Sequence, residues 1–445
     1  MPNQRSLGLA TTTSIVIGNM VGSGIFLLPA SLALYGIYSL WGWGLSTVGA
    51  LLLAWVFSSL SRRLSKAGGP YAYPRAAFGD FAGFIIAWIY WLSILGTNAA
   101  IAVAFASYLT VFFPVLGKVP LFGGLAAIAA VWVLTALNIW RVRAAGSLQL
   151  ITVILKLAPL LALVVFGFFY FDPKLLESGH VTTSPVSAIN TAAAFTMFAF
   201  LGLECATVPA DHVKDPEKTI PRATFLGTII AAVFYIACTT IVMGIIPNAT
   251  LAHSNAPFSD AAKVIWGNWG AWVIAATAMI SCFGALNGWL LMQGQFPKAV
   301  AEDGLFPKLF ARGTYHGSPA VGMLISSVLA TLLILMNYSE GLVGMFNILV
   351  LLTTFFVLVP YMFCAMAEIV LSRSQKTVGK HAVRNLVLAC AAFAFALWAA
   401  AGTGRNSLYW GTLLLLAGIP IYVWQKRRQK HLAPALGESL ETNIG

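Results

Sequence analysis

The sequence predicts an all-α membrane protein that crosses the bilayer about twelve times. Hydrophobic residues make up 59% of the 445 residues and charged residues only 9%, which is far more apolar than a soluble domain. The apolar residues also fall into runs of roughly 20, the length that a helix needs to cross the hydrocarbon layer. A third observation is that two of these runs contain small or charged residues near their middle.

Twelve apolar runs follow one another, joined by short loops rich in Gly, Pro or charge, with no polar stretch long enough for a soluble domain. We therefore predict one membrane domain over 1–445, with tails at 1–8 and 426–445. The predicted spans are about 9–33, 38–60, 81–113, 120–139, 147–170, 188–210, 223–246, 264–296, 318–337, 342–370, 383–402 and 406–425.

Basic residues fall almost entirely on one side of these spans. Of the 26 Lys and Arg residues, 21 lie on that side and one, Lys156, lies within a span; the other side has only Lys118, Lys174, Lys263 and Arg405. Because basic loops stay in the cytoplasm, we expect both termini to be cytoplasmic in the plasma (inner) membrane. This topology accounts for the net charge of +12, so we do not expect nucleic-acid binding.

The first apolar run is interrupted at Gly22, Ser23 and Gly24. An unwound centre frees backbone N–H and C=O groups at mid-bilayer depth, which is tolerated only where they line a protein cavity. The alternative is that these small residues only let helices pack closely. The interruption therefore makes this segment a candidate binding site.

A second apolar run, 191–206, contains Gly202 and Glu204 near its centre. A carboxylate within the membrane costs about 3 kcal/mol, so it is expected to face a water path or a partner. Two interrupted helices, about 180 residues apart, are typical of folds built from two inverted repeats. In such folds a half-helix N-terminus binds an anionic substrate group. Close helix packing through Gly202 is again the alternative.

Five motifs spread along nearly the whole chain resemble those of the amino acid-polyamine-organocation transporters, nearest to their basic amino acid and polyamine antiporters, which include the arginine/agmatine exchanger. They are GNMVGSGIFLLP (18–29), GGPYAY (68–73), FLGLE (200–204), VKDPEKTIPR (213–222) and EDGLFP (302–307). The resemblance implies a five-plus-five inverted-repeat core with broken helices 1 and 6. The repeats would cover about 9–170 and 188–370, followed by two extra helices at 383–425.

The resemblance also implies a substrate site between the two broken helices. The substrate carboxylate would bind backbone N–H groups and the Ser23 hydroxyl in the first break, and its ammonium would bind carbonyl groups in the second. These positions are Val21, Gly22, Ser23 and Gly24 in the first break and Ala199, Phe200 and Leu201 in the second.

Four further positions match residues that line the substrate pocket in the family. Asn98 matches a side-chain ligand, and a helix–helix hydrogen bond is its alternative role. Trp289 and Thr353 match pocket positions on the eighth and tenth helices, where ordinary packing is the alternative. Phe198 replaces the tryptophan that covers the guanidinium in the arginine exchanger; an aromatic ring still favours a cation over its face, though less than indole does.

Lys156 lies near the middle of the fifth span. A lysine at this depth needs a partner, a water path or a shifted protonation equilibrium. In related transporters such a lysine takes the place of a sodium ion, which implies sodium independence. It would act as a fixed charge on the broken helix or as a titrating group; snorkelling to an interface is the structural alternative.

Glu204 and three tyrosines are candidates for coupling and gating. Glu204 could form a pH-responsive gate, attract a cationic substrate or pair with Lys156; the alternative is a hydrogen-bonded structural carboxylic acid. Tyr90 and Tyr361 match family residues that block the transport path. Tyr71, in a cytoplasmic loop, matches a residue connected with pH response, although loop tyrosines are often interfacial belt residues.

The function implied is sodium-independent antiport of cationic amino acids or their amines by alternating access. The alternative is a proton-coupled carrier of neutral amino acids, and proton coupling and a homodimer both remain open. We expect no cofactor, no metal and no enzymatic activity, because the six histidines fall in loops or tails and no catalytic set lies at depth. The chain also lacks the charged rings or pore repeats of a channel.

Overall fold

The computed structural model describes residues 8–22, 24–64, 69–140, 148–177, 181, 183–204, 213–312, 319–374 and 380–427; Ser23 and the side chain of Lys156 lie outside the description. The helices of the first half are α1 (Leu9–Met20), α2 (Gly24–Leu32), α3 (Tyr38–Arg63), α4 (Ala72–Phe78), α5 (Asp80–Leu109), α6 (Val115–Lys118), α7 (Pro120–Trp140), α8 (Leu148–Gly167) and α9 (Lys174–Glu177).

The second half contains eight further helices, and helical turns continue beyond the last of them over 418–427. They are α10 (Pro185–Ala199), α11 (Pro216–Ile245), α12 (Asn248–Leu251), α13 (Pro257–Glu302), α14 (Ala320–Leu335), α15 (Gly341–Ser374), α16 (Lys380–Ala401) and α17 (Gly404–Leu416).

The prediction of an all-α polytopic membrane protein is confirmed. By length and composition, eight helices in the described part of the chain can cross a membrane, and shorter apolar helices accompany them. Each of the twelve predicted runs contains at least one α-helix. Hydrophobic side chains face outward on many of them because lipid, not water, is their solvent.

The predicted breaks in the first and sixth spans are both present. α1 ends at Met20 and α2 begins at Gly24, so one apolar run forms two half-helices. In the sixth span α10 ends at Ala199, and Gly202 adopts a φ of 98°. Side chains other than glycine rarely adopt this backbone conformation, so Gly202 permits the turn that stops the helix.

α13 starts earlier than the predicted eighth span because it includes a first helical segment that begins at Pro257. Gly267 has a φ of 73° and a ψ of −161°, which divides the helix in two. The apolar part that crosses the membrane therefore follows Gly267, about three residues beyond the predicted start at 264.

The core lies around α5 and α15. In the most apolar 18-residue window of each helix, 94% of the residues are buried for α5 and 72% for α15, against 28% for α16 and 17% for the helix over Gly404–Arg427. The last two spans are therefore peripheral, as expected of helices added to a completed core. α5 and α15 also pack on each other, and both carry candidate site residues.

Candidate functional site

The two helix breaks face each other across a close contact. A methyl group added at Gly24 would lie 3.3 Å from Cα of Ala199 and 3.3 Å from a ring carbon of Phe198. The N-terminus of α2 therefore approaches the C-terminal end of α10 with no room for a side chain. Two regions that were predicted from separate parts of the chain therefore lie side by side.

Backbone groups at the first break are partly engaged already. The Val21 N–H donates to the Ile17 carbonyl and the Gly22 N–H to the Met20 carbonyl, each at 2.7 Å. These bonds close the end of α1. Gly24 begins α2, where the first N–H groups of a helix lack intrahelical partners. Ser23, a predicted ligand, lies outside the described residues.

Phe198 and Phe200 point to different neighbours at the second break. Phe198 is 4% exposed, and its ring packs edge-on against Phe346 with centroids 6.1 Å apart. The Phe200 ring instead packs edge-on against Trp43 and Tyr235, at 6.0 and 5.9 Å. Phe200 therefore anchors the break, whereas Phe198 lies where a lid over Gly24 is expected.

Carbonyl groups of the second break also take part in local turns. The Leu201 N–H donates to the Phe198 carbonyl at 3.2 Å and the Leu203 N–H to the Phe200 carbonyl at 3.3 Å. A carbonyl oxygen has two lone pairs, so the Phe200 carbonyl can still accept a second donor. Ala199 and Leu201 are 1% and 5% exposed, so solvent scarcely reaches the site in this conformation.

Glu204 lies between two of the predicted gating tyrosines. The Tyr90 hydroxyl donates to Glu204 Oε1 at 2.7 Å and the Tyr361 hydroxyl to Oε2 at 2.6 Å. All three residues are at most 2% exposed. These are short, charge-assisted hydrogen bonds if the carboxyl is ionised. They tie the broken sixth span to α5 and α15.

The Glu204 cluster lies on the cytoplasmic half of the predicted topology. Tyr90 is ten residues from Asp80, the first residue of α5, which places it about 15 Å along the helix. Arg75 and Lys426 contact Asp80, and the predicted topology puts this end of α5 on the cytoplasmic side. Glu204 follows the break in a span that begins on the opposite side. In the predicted topology the cluster therefore lies between the helix breaks and the cytoplasm.

Asn98 belongs to a buried chain of hydrogen bonds between helices. Its Nδ2 donates to Gln293 Oε1 at 2.8 Å, and Gln293 Nε2 donates to Ser327 Oγ at 2.8 Å. Ser327 Oγ in turn lies 2.7 Å from Thr135 Oγ1. Asn98 Oδ1 is buried without a hydrogen-bond partner in the described part of the chain. The Asn98 amide nitrogen thus joins neighbouring helices, whereas its oxygen can still accept a hydrogen bond.

Trp289 and Thr353 lie close to this chain of bonds. The Trp289 carbonyl accepts Asn98 Nδ2 at 3.3 Å, and its side chain is 8% exposed. Thr353 Oγ1 is buried and unpaired among the residues described. A methyl group added at Gly96 would collide with this hydroxyl. α5 and α15 therefore meet tightly at the predicted pocket wall, with the Thr353 hydroxyl still able to donate.

Tyr71 is held in an ionic network. Its hydroxyl donates to Asp303 Oδ2 at 2.8 Å, and Arg75 Nη1 lies 3.3 Å from the same oxygen. Arg75 also pairs with Asp80, which Lys426 contacts at 3.0 Å. Burial, reinforced by the bond to Asp303, raises the pKa of Tyr71 well above its ordinary value. The phenol is therefore a neutral donor at physiological pH.

We expect Tyr71→Phe to slow transport about fivefold without changing the shape of its pH profile between about pH 5 and 9. The lost hydrogen bond is worth about 1 kcal/mol. A tyrosine ordinarily titrates near pH 10, and its raised pKa moves this further up, so the phenol is neutral throughout that window. The check is exchange in liposomes across pH, with exposed Tyr409→Phe as control. A shifted midpoint in Tyr71→Phe alone would contradict this.

A second intramembrane carboxylate, Glu368, was missed by the sequence argument. It is fully buried in α15, where Ser59 Oγ donates to it at 2.8 Å and Arg63 lies 3.3 Å away. The reasoning that singled out Glu204 applies equally to a carboxylate near the end of the tenth span. Hydrogen-bond partners in other segments, such as Gln293 for Asn98 and Asp303 for Tyr71, could not be identified from the sequence.

No group of three or more His, Cys, Asp and Glu residues in the described ranges is arranged to hold a metal ion. Lys156 lies in α8, but its side chain is outside the description. The predicted pairing of Lys156 with Glu204 therefore stays a prediction. The candidate residues that the structure describes comprise two helix ends, the Phe198 ring and the buried Glu204 carboxylate.

Comparison with known proteins identifies one matching family and several relatives that align with most of the chain. The amino acid permease family matches residues 7–419. The putrescine transporter PotE of Escherichia coli K12 is 35% identical over 422 residues, which cover 94% of this chain and 95% of the relative. A cadaverine/lysine antiporter of the same strain is 37% identical over 350 residues, 77% of this chain and 78% of the relative. The putrescine transporter PotE of Haemophilus influenzae is 32% identical over 418 residues, covering 94% and 96%.

Proposed function

This chain belongs to the amino acid permease family, and from this premise we propose that it exchanges cationic amino acids or their amines across the plasma membrane. The exchange proceeds by alternating access and without sodium. One domain of two repeats carries it, with both termini in the cytoplasm.

The buried carboxylate of Glu204 is the observation that carries this proposal. It is 1% exposed and follows the helix break that faces Gly24, so it lies beside the path of any molecule bound between the breaks. A carboxylate in a low-dielectric environment attracts a cation strongly. Relatives named for putrescine and for cadaverine and lysine support a cationic substrate over the neutral amino acids of the alternative.

The arrangement can bind both ends of an amino acid. The first turn of α2, beginning at Gly24, offers N–H groups and a positive helix end to a carboxylate. Carbonyl groups of Ala199 to Leu201 accept the α-ammonium. A diamine lacks the carboxylate, so in its case the carbonyls and Glu204 take the two ammonium groups. Asn98 Oδ1 and the Thr353 hydroxyl complete the wall around the substrate side chain.

The contacts that close the two sides of the proposed site suggest the order in which its parts move. Phe198 covers Gly24, and the Glu204 bonds to Tyr90 and Tyr361 close the cytoplasmic side. For inward release, α1 and the part of the sixth span beyond the break must move away from α5 and α15, which breaks these bonds. A cationic substrate that approaches Glu204 competes with the two tyrosines for its oxygens. Substrate and gate are thereby linked.

Counterflow in proteoliposomes tests the proposal. Labelled putrescine and lysine should enter only liposomes loaded with unlabelled putrescine, lysine, arginine or ornithine, at equal rates in sodium and in choline buffers. Alanine and serine serve as neutral competitors, and an imposed pH gradient tests proton coupling. If alanine or serine drove exchange and the cations did not, the neutral amino acid alternative would replace the proposal.

The Phe198 ring gives a prediction about selectivity. Phe198→Leu should lower the apparent affinity for cationic substrates about fivefold, because a cation over an aromatic face gains roughly 1 kcal/mol that an aliphatic side chain does not supply. The affinity is measured by competition against labelled lysine. Phe113→Leu, at an exposed phenylalanine, is the control. Equal affinity in the Phe198 and Phe113 variants would remove Phe198 from the site.

A further inference from the structure

A groove of about 770 Å³ opens at the cytoplasmic ends of α3, α11 and α16. Each helix contributes one arginine to its rim, namely Arg62, Arg222 and Arg384. All three arginines are exposed, and no acidic side chain lines the groove. None of them forms an ion pair within the described ranges. The rim therefore concentrates three positive charges outside any ion pair in the described ranges; the buried carboxylate that acts on Arg62, Glu368, is itself paired with Arg63.

The wall below the arginines is apolar, and it follows the helix repeat. On α11, Leu226 and Ile229 lie four and seven residues beyond Arg222; on α16, Leu388 lies four beyond Arg384. Residues at these spacings share one face of a helix. On α3, which runs the other way, Trp55 lies seven residues before Arg62. Each helix therefore presents an arginine at the membrane surface and an apolar residue toward the bilayer centre.

A smaller cavity of about 290 Å³ adjoins the groove and shares Trp55, Arg62 and Arg384 with it. Its lining is more polar and includes Ser59 and Asn385. The Asn385 amide oxygen is buried there and accepts no hydrogen bond from the residues that the structure describes. A buried unpaired acceptor is costly.

We propose that this groove binds one anionic phospholipid of the cytoplasmic leaflet, with its phosphate among Arg62, Arg222 and Arg384. One acyl chain lies along Trp55, Leu226 and Leu388, and a headgroup hydroxyl donates to the Asn385 amide oxygen. Basic pockets between helices at the cytoplasmic surface suit such lipids, and phosphatidylglycerol has both the phosphate and the hydroxyls. The groove lies apart from the helix breaks, so the proposal does not depend on the transport function.

Native mass spectrometry of the full-length protein in detergent tests this site. Phosphatidylglycerol and phosphatidylcholine with identical acyl chains are titrated separately. The double variant Arg222→Gln with Arg384→Gln should lose about 25-fold in affinity for phosphatidylglycerol, from roughly a factor of five for each arginine, and keep the weak binding of phosphatidylcholine. Arg312→Gln, which removes an exposed cytoplasmic arginine outside the groove, should bind as the unmodified protein does.

Two further measurements distinguish a bound lipid from a bound free anion. Leu226→Gln should weaken phosphatidylglycerol binding but leave unchanged any thermal stabilisation by inorganic phosphate. If inorganic phosphate stabilised the protein as much as the lipid did, and Leu226→Gln had no effect, the site would be a phosphate site and the proposal would be wrong. Equal affinity for both lipids, or full affinity in the double arginine variant, would also overturn it.

Discussion

Glu204→Gln is expected to reduce exchange of putrescine and lysine about 10- to 100-fold. Glutamine keeps the size of the side chain and can still accept from one tyrosine, but it removes the only charge with which Glu204 can attract a cation. Hydrogen bonds to charged groups contribute about 1.5 to 3 kcal/mol, which corresponds to that range of affinities. The measurement is the concentration dependence of counterflow in proteoliposomes.

Two further substitutions separate the charge from the gate. Tyr90→Phe and Tyr361→Phe each remove one of the hydroxyls that donate to Glu204, without changing its charge. We expect them to alter the rate of exchange more than the apparent affinity, since they weaken the closed state. Glu177→Gln, at an exposed glutamate in a loop helix, is the matched control and should behave as the unmodified protein.

The alternative role of Glu204 gives a different result. If it is a structural carboxylic acid that only joins α5 and α15, Glu204→Gln should lower thermal stability and leave the apparent affinity for putrescine and lysine unchanged. That outcome would remove Glu204 from the substrate site.

Gly24→Trp should abolish exchange while the protein still inserts and folds. An added methyl group at Gly24 already lies 3.3 Å from both Ala199 and Phe198, so an indole would occupy the space between the two helix breaks. The two half-helix ends would have to separate to admit the indole, and the space in which a substrate would bind would be lost.

Gly44→Trp is the matched control for this experiment. Gly44 lies on α3, and nothing lies within 4 Å of a methyl group added there. The same substitution at Gly44 should therefore leave exchange intact. Surface expression and thermal melting of both variants show whether folding is equal. Retained exchange in a folded Gly24→Trp protein would refute the site between the breaks.

Sequence reasoning predicted the fold because the bilayer imposes strong rules on it. Run length and hydropathy located the spans, and the glycines at 22, 24 and 202 located the breaks. Boundaries that depend on a local turn were less accurate, as Gly267 shows: a positive φ ended a first helical segment inside an apolar stretch. Hydropathy cannot detect such a turn, because it averages over the residues on both sides.

The site was predicted in parts and not as a whole. Glu204, Tyr90 and Tyr361 were each chosen for separate reasons, and only the structure places the two hydroxyls on one carboxylate. The partners Gln293 and Asp303 were missed because hydrogen bonds between helices leave no periodic pattern in a single sequence. The substrate contacts themselves remain predictions, since they depend on a molecule bound between the breaks.

The hydrogen-bonded chain of Asn98, Gln293, Ser327 and Thr135 has a mechanical consequence. It links α5, α13, α14 and α7 inside the membrane, where no water is present to exchange with these bonds. Sliding one of these helices past its neighbour would break the hydrogen bond that joins the two. We therefore expect the four helices to move as one rigid group during transport. α3 packs on α10 and α11, and α11 packs on α1, so these four helices form a second group. Glu204, which follows α10 and accepts a hydrogen bond from Tyr90 on α5, joins the second group to the first.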